Sequence, residues 1–290
     1  MSAQTAKVLV SFGKTLRIQT QDGQHISCLN SEHTPCSAGD EIHWLKKNDI
    51  AVVDKRLKRR NVLLHQHKTV AANIDCIHLV IAVSPHYEFN LINRYLVAAQ
   101  QYQLPINLVI NKLDLCRSSE YKQLKKDFAA YQQIGYRLFF ISALDAQTNR
   151  HTLNSFKQSL RHKTHLLVGP SGVGKSTLIN RLLHLNLPSQ PLNKHSKGKH
   201  TTTHTCLYAM AGGGYLVDSP GVREFKLTNL NHRDIANGFI EFKQFTPQCQ
   251  FRNCEHVNEP NCGVKQALKN GAICPQRYQS YLLLRNPQSN

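Results

Sequence analysis

The sequence predicts an α/β protein built on a mostly parallel, doubly wound sheet, with a small β-barrel before it and a cysteine-bearing helical segment after it. Three observations lead there. Continuous apolar runs such as "IDCIHLVIAVS", "INLVINKLD" and "YRLFFISA" alternate with helical patterns from about residue 70, as strands buried on both faces require. A glycine-rich stretch, "GPSGVGKST", lies between one such strand and a helix. The flanks differ in texture: residues 1–68 hold short apolar stretches broken at turns, and residues 227–290 lose the strand pattern and gather cysteines. The expected domains are therefore 1–68, 69–226 and 227–290.

In the first domain, "KVLVSFG", "LRIQT", "HISCLN", "EIHWLKK", "IAVVDK" and "NVLLHQ" read as five or six short strands, with Gly23 and Gly39 at breaks. That spacing suits an OB-fold barrel. Lys46, Lys47, Lys55, Arg56, Lys58, Arg59 and Arg60 form a basic run that would serve as an RNA-binding face. The whole chain supports a polyanionic partner, since 36 Lys and Arg against 18 Asp and Glu leave a net charge of +18. Neutralising phosphates releases counterions, which favours nucleic acid before membrane. No apolar run approaches the roughly 18 residues of a membrane span, so a cytoplasmic protein without a membrane partner is expected. Nine cysteines in such a chain suggest reduced thiols and one metal site rather than a disulfide framework.

Within the second domain, Leu91, Ile92, Tyr95, Leu96, Ala99 and Tyr102 share one side of a helix. A second helix is expected after Ser118 and Ser119 as cap candidates, ending near Gly135, and a polar helix leads into "THLLVGP". "KSTLINRLLHL" is helical. Residues 186–205 are polar and basic, after which "CLYAM" and "GGYLVDSPG" read as a hairpin returning to the sheet.

The loop Gly169-Pro170-Ser171-Gly172-Val173-Gly174-Lys175-Ser176-Thr177 fits G-x-x-x-x-G-K-[ST] in the strand-to-helix context the motif needs. Glycines let the backbone wrap a phosphate chain, Lys175 reaches the β and γ phosphates, and the Ser176 hydroxyl ligates Mg²⁺. The base is read by Asn111-Lys112-Leu113-Asp114. Asp114 accepts from guanine N1–H and the exocyclic amine, neither of which adenine offers. Asn111 braces the loop, the Lys112 stem covers the base, and the amide of Ala143, after Ser142, donates to guanine O6. Asp218, in "DSPG", supplies an outer carboxylate for Mg²⁺, and the Gly221 N–H senses the γ-phosphate. One of Thr201, Thr202 and Thr203 completes the Mg²⁺ sphere, with Thr202 carried as the nucleotide-site residue. The motifs run in the order base clamp, phosphate loop, first switch, second switch. A parallel sheet tolerates a new starting point, so this is the pattern of a circularly permuted P-loop GTPase. The second switch then exits into the C-terminal domain, which γ-phosphate sensing would reposition. Where many GTPases hold a water-positioning Gln after the switch glycine, this chain has Val222, leaving His204 as the candidate catalytic residue.

Near the C-terminus, Cys249, Cys254, His256 and Cys262 are spaced C-x₄-C-x-H-x₅-C, a closed set for one structural Zn²⁺, with Cys274 as a rival ligand. Together, the permuted order, the OB-like domain, "GPSGVGKSTLIN", "KHTTTHT", "DSPGVREF" and this cluster resemble the bacterial ribosome small-subunit-dependent GTPase A family. The resemblance covers nearly the whole chain. It implies GTP hydrolysis stimulated by the 30S subunit, a role late in small-subunit maturation, GTP and GDP as ligands, and contact with the 16S rRNA; a monomer is expected. The alternatives are a non-enzymatic, GTP-binding RNA switch, and a permuted GTPase acting on another RNA or on the large subunit.

Overall fold

The computed structural model describes residues 3–65, 68–145, 150–183, 205–218 and 230–286. Strands β1 (Gln4–Ser11), β2 (Thr15–Thr20), β3 (His25–Leu29), β4 (Glu41–Lys47) and β5 (Ile50–Arg56) form the N-terminal barrel. Their order is β1-β2-β3-β5-β4, and β4 returns to pair with β1, so the barrel closes as an OB-fold does. Alternate residues Ala6, Val8, Leu16, Ile18 and Ile42 fill it. "NVLLHQ" stays outside: β6 (Val62–His65) pairs with β7 (Lys68–Ala72) in a separate hairpin that straddles residue 68. Gly39, at φ +90°, lets the barrel press on that hairpin, since a Cβ there would sit 2.1 Å from the Ala72 carbonyl oxygen.

The basic run is only partly a free face. Arg59 forks onto buried Asp40 with two contacts of 2.7 Å, Arg60 pairs with Asp75, and Arg56 donates to the Pro35 carbonyl at 2.8 Å. A buried carboxylate needs a planar two-armed partner, and Arg59 supplies it. Lys47, Lys55 and Lys58 remain exposed, as does Lys46 beside Asp49.

Beyond the hairpin, β8 (Cys76–Ala82), β9 (Ile106–Asn111), β10 (Leu138–Phe140), β11 (Thr164–Val168) and β13 (Tyr215–Asp218) lie parallel, in the order β10-β9-β8-β11-β13. β12 (Cys206–Ala209) is antiparallel to β13, as the expected hairpin requires. Both faces of β8 are buried. Ile77, Leu79 and Ile81 pack with helix α1 (Phe89–Gln101), whereas Val80 and Ala82 pack with α4 (Arg150–Ser159) and α5 (Lys175–Leu183). Between β9 and β10 lie α2 (Ser118–Asp127) and α3 (Ala129–Gln133). The N-cap of α2 is Arg117, not a serine; its amide is capped by Glu120 at 2.7 Å, which moves the start one residue earlier. β12 also meets β1 at Val10↔Cys206, joining barrel and parallel sheet into one sheet that has 11 strands among the described residues. The Tyr215 hydroxyl donates to Gln19 Oε1 at 2.7 Å across this seam.

The C-terminal region folds as α6 (His232–Gly238), α7 (Gly263–Lys269) and α8 (Pro275–Arg285) with short 3₁₀ turns between them. Ile235, Phe239, Phe242, Val264 and Tyr281 build its core, and Val97 from α1 completes it. Gly238 allows that contact, because a Cβ would lie 2.6 Å from Val97 Cγ2. At the same interface Arg277, 2% exposed, binds Glu241 through two contacts of 2.7 Å and Asn93 Oδ1 of α1 at 2.6 Å.

Candidate nucleotide site and cysteine cluster

β11 ends at Val168, and the chain turns at Gly169 with φ +141°. A Cβ on Gly169 would meet the Val80 carbonyl oxygen at 2.0 Å, so only glycine lets the loop leave the sheet here. Gly169→Ala is therefore expected to abolish nucleotide binding and to destabilise the chain by about 2–4 kcal/mol through backbone strain and overpacking. Isothermal titration with GDP and urea unfolding would check this; unchanged affinity would count against the geometry. Gly172 and Gly174 also have positive φ, while Val173 between them is buried and anchors the loop. Pro170 and Ser171 form the outward arm. Lys175 opens α5 and its Nζ donates to the Gly169 and Pro170 carbonyls, both at 2.6 Å, spanning the cradle. Ser176, exposed, and Thr177 follow in the first turn.

Asn111 at the end of β9 is 1% exposed and binds in two directions. Its Nδ2 donates to Val173 O at 2.9 Å and its Oδ1 accepts from the Ala143 amide at 3.0 Å. One side chain thus ties the phosphate loop to the segment after β10. This gives the Ala143 amide a partner other than the O6 contact expected from sequence. Lys112 adopts φ +65° and its Nζ donates to Ser84 O at 2.8 Å, holding its stem across the loop that follows β8. Leu113 is buried and leaves Asp114 exposed, where its Oδ1 accepts from the Ser142 hydroxyl. Asp218, at the end of β13, lies opposite Cys206. Thr201, Thr202, Thr203, His204, Gly221 and Val222 lie outside the described residues. The partners that sequence reasoning missed, Val80 and Ser84, act through backbone carbonyls, which any residue type supplies.

These groups gather at the carboxyl ends of β8, β9 and β11, where open α/β sheets bind ligands. A family model described as RsgA GTPase matches residues 56–228. The chain belongs to the RsgA GTPase family. Small ribosomal subunit biogenesis GTPase RsgA of Pseudomonas aeruginosa (strain LESB58) is 38% identical over 287 residues, covering 96% of this chain and 84% of that protein. Its counterpart in Hahella chejuensis is 36% identical over 296 residues, covering 97% and 84%. YjeQ from Thermotoga maritima superposes at TM-score 0.81 with 27% identity over 98% of each chain. YloQ, described as a circularly permuted GTPase, gives TM-score 0.80 over 98% of this chain and 94% of that one; at 22% identity it bears on the fold alone. RsgA family membership makes this chain a GTP hydrolase, and the fold is a circularly permuted P-loop GTPase with an N-terminal barrel.

Cys249, Cys254, His256 and Cys262 converge, with all four ligand atoms within 4.8 Å of one another. Cys249 Sγ lies 3.9 Å from Cys262 Sγ, and the two sulfurs lie 3.6 and 3.5 Å from His256 Nδ1. Tetrahedral Zn–S and Zn–N bonds imply edges of about 3.8 Å between sulfurs and about 3.6 Å from sulfur to nitrogen. The donor set therefore fits a Cys₃His zinc site. Burial pushes the Cys254 thiol up to about 12 and lowers His256, so a cation is what would make thiolates here. The Lys265 amide points at Cys262 Sγ from 3.5 Å, and Tyr278 holds the His256 carbonyl at 2.7 Å. Cys274, the rival, instead occupies the N-cap position of α8.

Proposed function

We propose that this chain hydrolyses GTP in response to the small ribosomal subunit and assists the late maturation of that particle. The observation that carries the nucleotide reading is Asn111 bonded at once to Val173 of the phosphate loop and to Ala143. A motif that would read guanine is thereby coupled to the loop that would hold phosphate. Asp114 would select guanine, Lys175 would neutralise the β and γ phosphates, and Ser176 would hold Mg²⁺ with Thr202 and Asp218 near it. Mg²⁺ would supply charge stabilisation on the phosphates. Gly221 would sense the γ-phosphate and His204 would position the attacking water. Zn²⁺ at Cys249, Cys254, His256 and Cys262 would staple the C-terminal domain.

The partner follows from the relatives, whose names state small ribosomal subunit biogenesis, and from the net charge of +18. A three-part organisation, 1–68, 69–226 and 227–290, would place RNA-facing modules on either side of the nucleotide domain, in a monomer working in the cytoplasm. Among the described residues no helix is long and apolar enough to cross a membrane. The test is GTP turnover with and without purified 30S particles, with 50S particles and ATP as controls. Stimulation of at least tenfold, confined to 30S and GTP and lost in His204→Ala without loss of GTP binding, is expected. Tight guanine-nucleotide binding with no stimulated turnover would instead favour a non-enzymatic switch.

A further inference from the structure

At the amino ends of β8 and β11, away from the phosphate loop, three ligand-type side chains meet inside the sheet. Cys76 and His78 are two residues apart on β8 and share its face toward α4, and His165 of β11 is the register partner of Cys76. Their exposures are 8%, 0% and 1%. His78 Nε2 and His165 Nδ1 face each other at 2.9 Å, and one ligand atom from each of the three residues falls within 4.8 Å of the others. The surroundings are apolar, with Phe156 edge-on to His78 at 5.0 Å and Phe139 at 6.5 Å. Nothing in the nucleotide chemistry uses these groups, and burying two imidazoles in such a core is costly.

The hydrogen bonds around them have the form of a ligand shell. His165 Nε2 is directed at the Leu160 carbonyl at 3.1 Å; donating there leaves the lone pair on Nδ1, facing His78 and Cys76. Metal-bound histidines are oriented by a carbonyl in this way. Asn107 Nδ2 donates to Cys76 Sγ at 3.3 Å, as it would to a thiolate. His78 Nδ1 is buried with no partner, so the ring is free to exchange tautomers and turn Nε2 into a donor atom for an ion. The Asp75 carboxylate, bonded to the Thr164 amide at 2.8 Å and paired with Arg60, lies at the same strand end.

We propose that Cys76, His78 and His165 form a second zinc site, within the nucleotide-binding sheet. Sγ, Nε2 and Nδ1 bind the ion. The thiol proton leaves to solvent and the proton between the two imidazoles moves to His78 Nδ1, so each Zn²⁺ taken up releases one proton and the site carries a net charge of +1. Soft thiolate with two imidazoles is a donor set that zinc accepts. The 2.9 Å contact opens to about 3.3 Å around a tetrahedral ion. The thiol must lose its proton to bind the ion, so uptake strengthens as pH rises.

The test is the zinc content of the full chain, by mass spectrometry after purification without chelator and after titration with Zn²⁺ against a chromophoric competitor. Two equivalents are expected in the wild type, one in His78→Leu/His165→Leu, and one in Cys254→Ser/Cys262→Ser. Co²⁺ titration of the wild type should show two phases, one with the charge-transfer intensity of three thiolates and the other with that of a single thiolate. A single zinc equivalent in the wild type, lost in Cys254→Ser/Cys262→Ser and retained in His78→Leu/His165→Leu, would overturn the proposal. So would a single-phase Co²⁺ titration, whether or not either variant folds.

Discussion

Asp114→Asn is expected to weaken GTP binding by about 10³-fold or more and to raise affinity for xanthosine triphosphate, inverting the preference between the two. Guanine presents two donors to this position, N1–H and the exocyclic amine, and a carboxylate accepts both. An amide offers one acceptor and one donor, so either flip leaves a donor facing a donor. Xanthine carries a carbonyl in place of the amine and matches the amide. The Ser142 hydroxyl at Asp114 can donate or accept, and so tolerates the change. Competition titrations with both nucleotides measure the ratio directly. An unchanged preference would remove Asp114 from the base site. Asn111→Ala should behave differently, weakening all nucleotides alike, because it leaves the Val173 carbonyl and the Ala143 amide unpaired in the interior.

Arg277→Ala is expected to cost about 3–5 kcal/mol of stability, because it strands the Glu241 carboxylate in the protein interior. The guanidinium makes three short hydrogen bonds to Glu241 and Asn93, and lies 4.7 Å from the Phe239 ring and 5.2 Å from that of Tyr131. Loss of the side chain therefore also removes packing against the Phe239 and Tyr131 rings. Replacing both partners, Arg277→Met with Glu241→Leu, should recover most of the loss, since no buried charge is left unpaired. Urea unfolding of the four members of that cycle provides the check. A single substitution that costs under about 1 kcal/mol would mean the carboxylate finds water or another cation. The network also constrains the movement expected of the C-terminal domain. That domain is fastened to α1 through Asn93 and Val97, so any repositioning must carry α1 with it or break these contacts.

Elements with a strong local signature were legible in the sequence. The apolar runs became β8, β9 and β11, and the glycine spacing became a loop whose positive φ values forbid other residues. The C-x₄-C-x-H-x₅-C spacing closed on four converging ligands. Features that depend on partners far apart in the chain were not legible. Arg277 and Glu241 stand 36 residues apart, and Asn93 lies 184 residues from Arg277. His78 was absorbed into an apolar run, because one polar residue barely alters a hydrophobic pattern, and its meaning depends on His165 in the next strand. Arg59 and Arg60 read as surface charge until Asp40 and Asp75 are placed beside them.

The seam between barrel and nucleotide sheet has one ladder pair, Val10↔Cys206, backed by the Tyr215–Gln19 hydrogen bond, whereas β12 holds β13 through four pairs. Under load such a joint behaves as a perforation. A pull across this seam breaks the single rung and the Tyr215–Gln19 bond before it opens the four-pair β12–β13 hairpin. Cys206 directly follows "KHTTTHT" in the sequence. A lone rung thus adjoins, in sequence, the threonines proposed to complete the Mg²⁺ sphere.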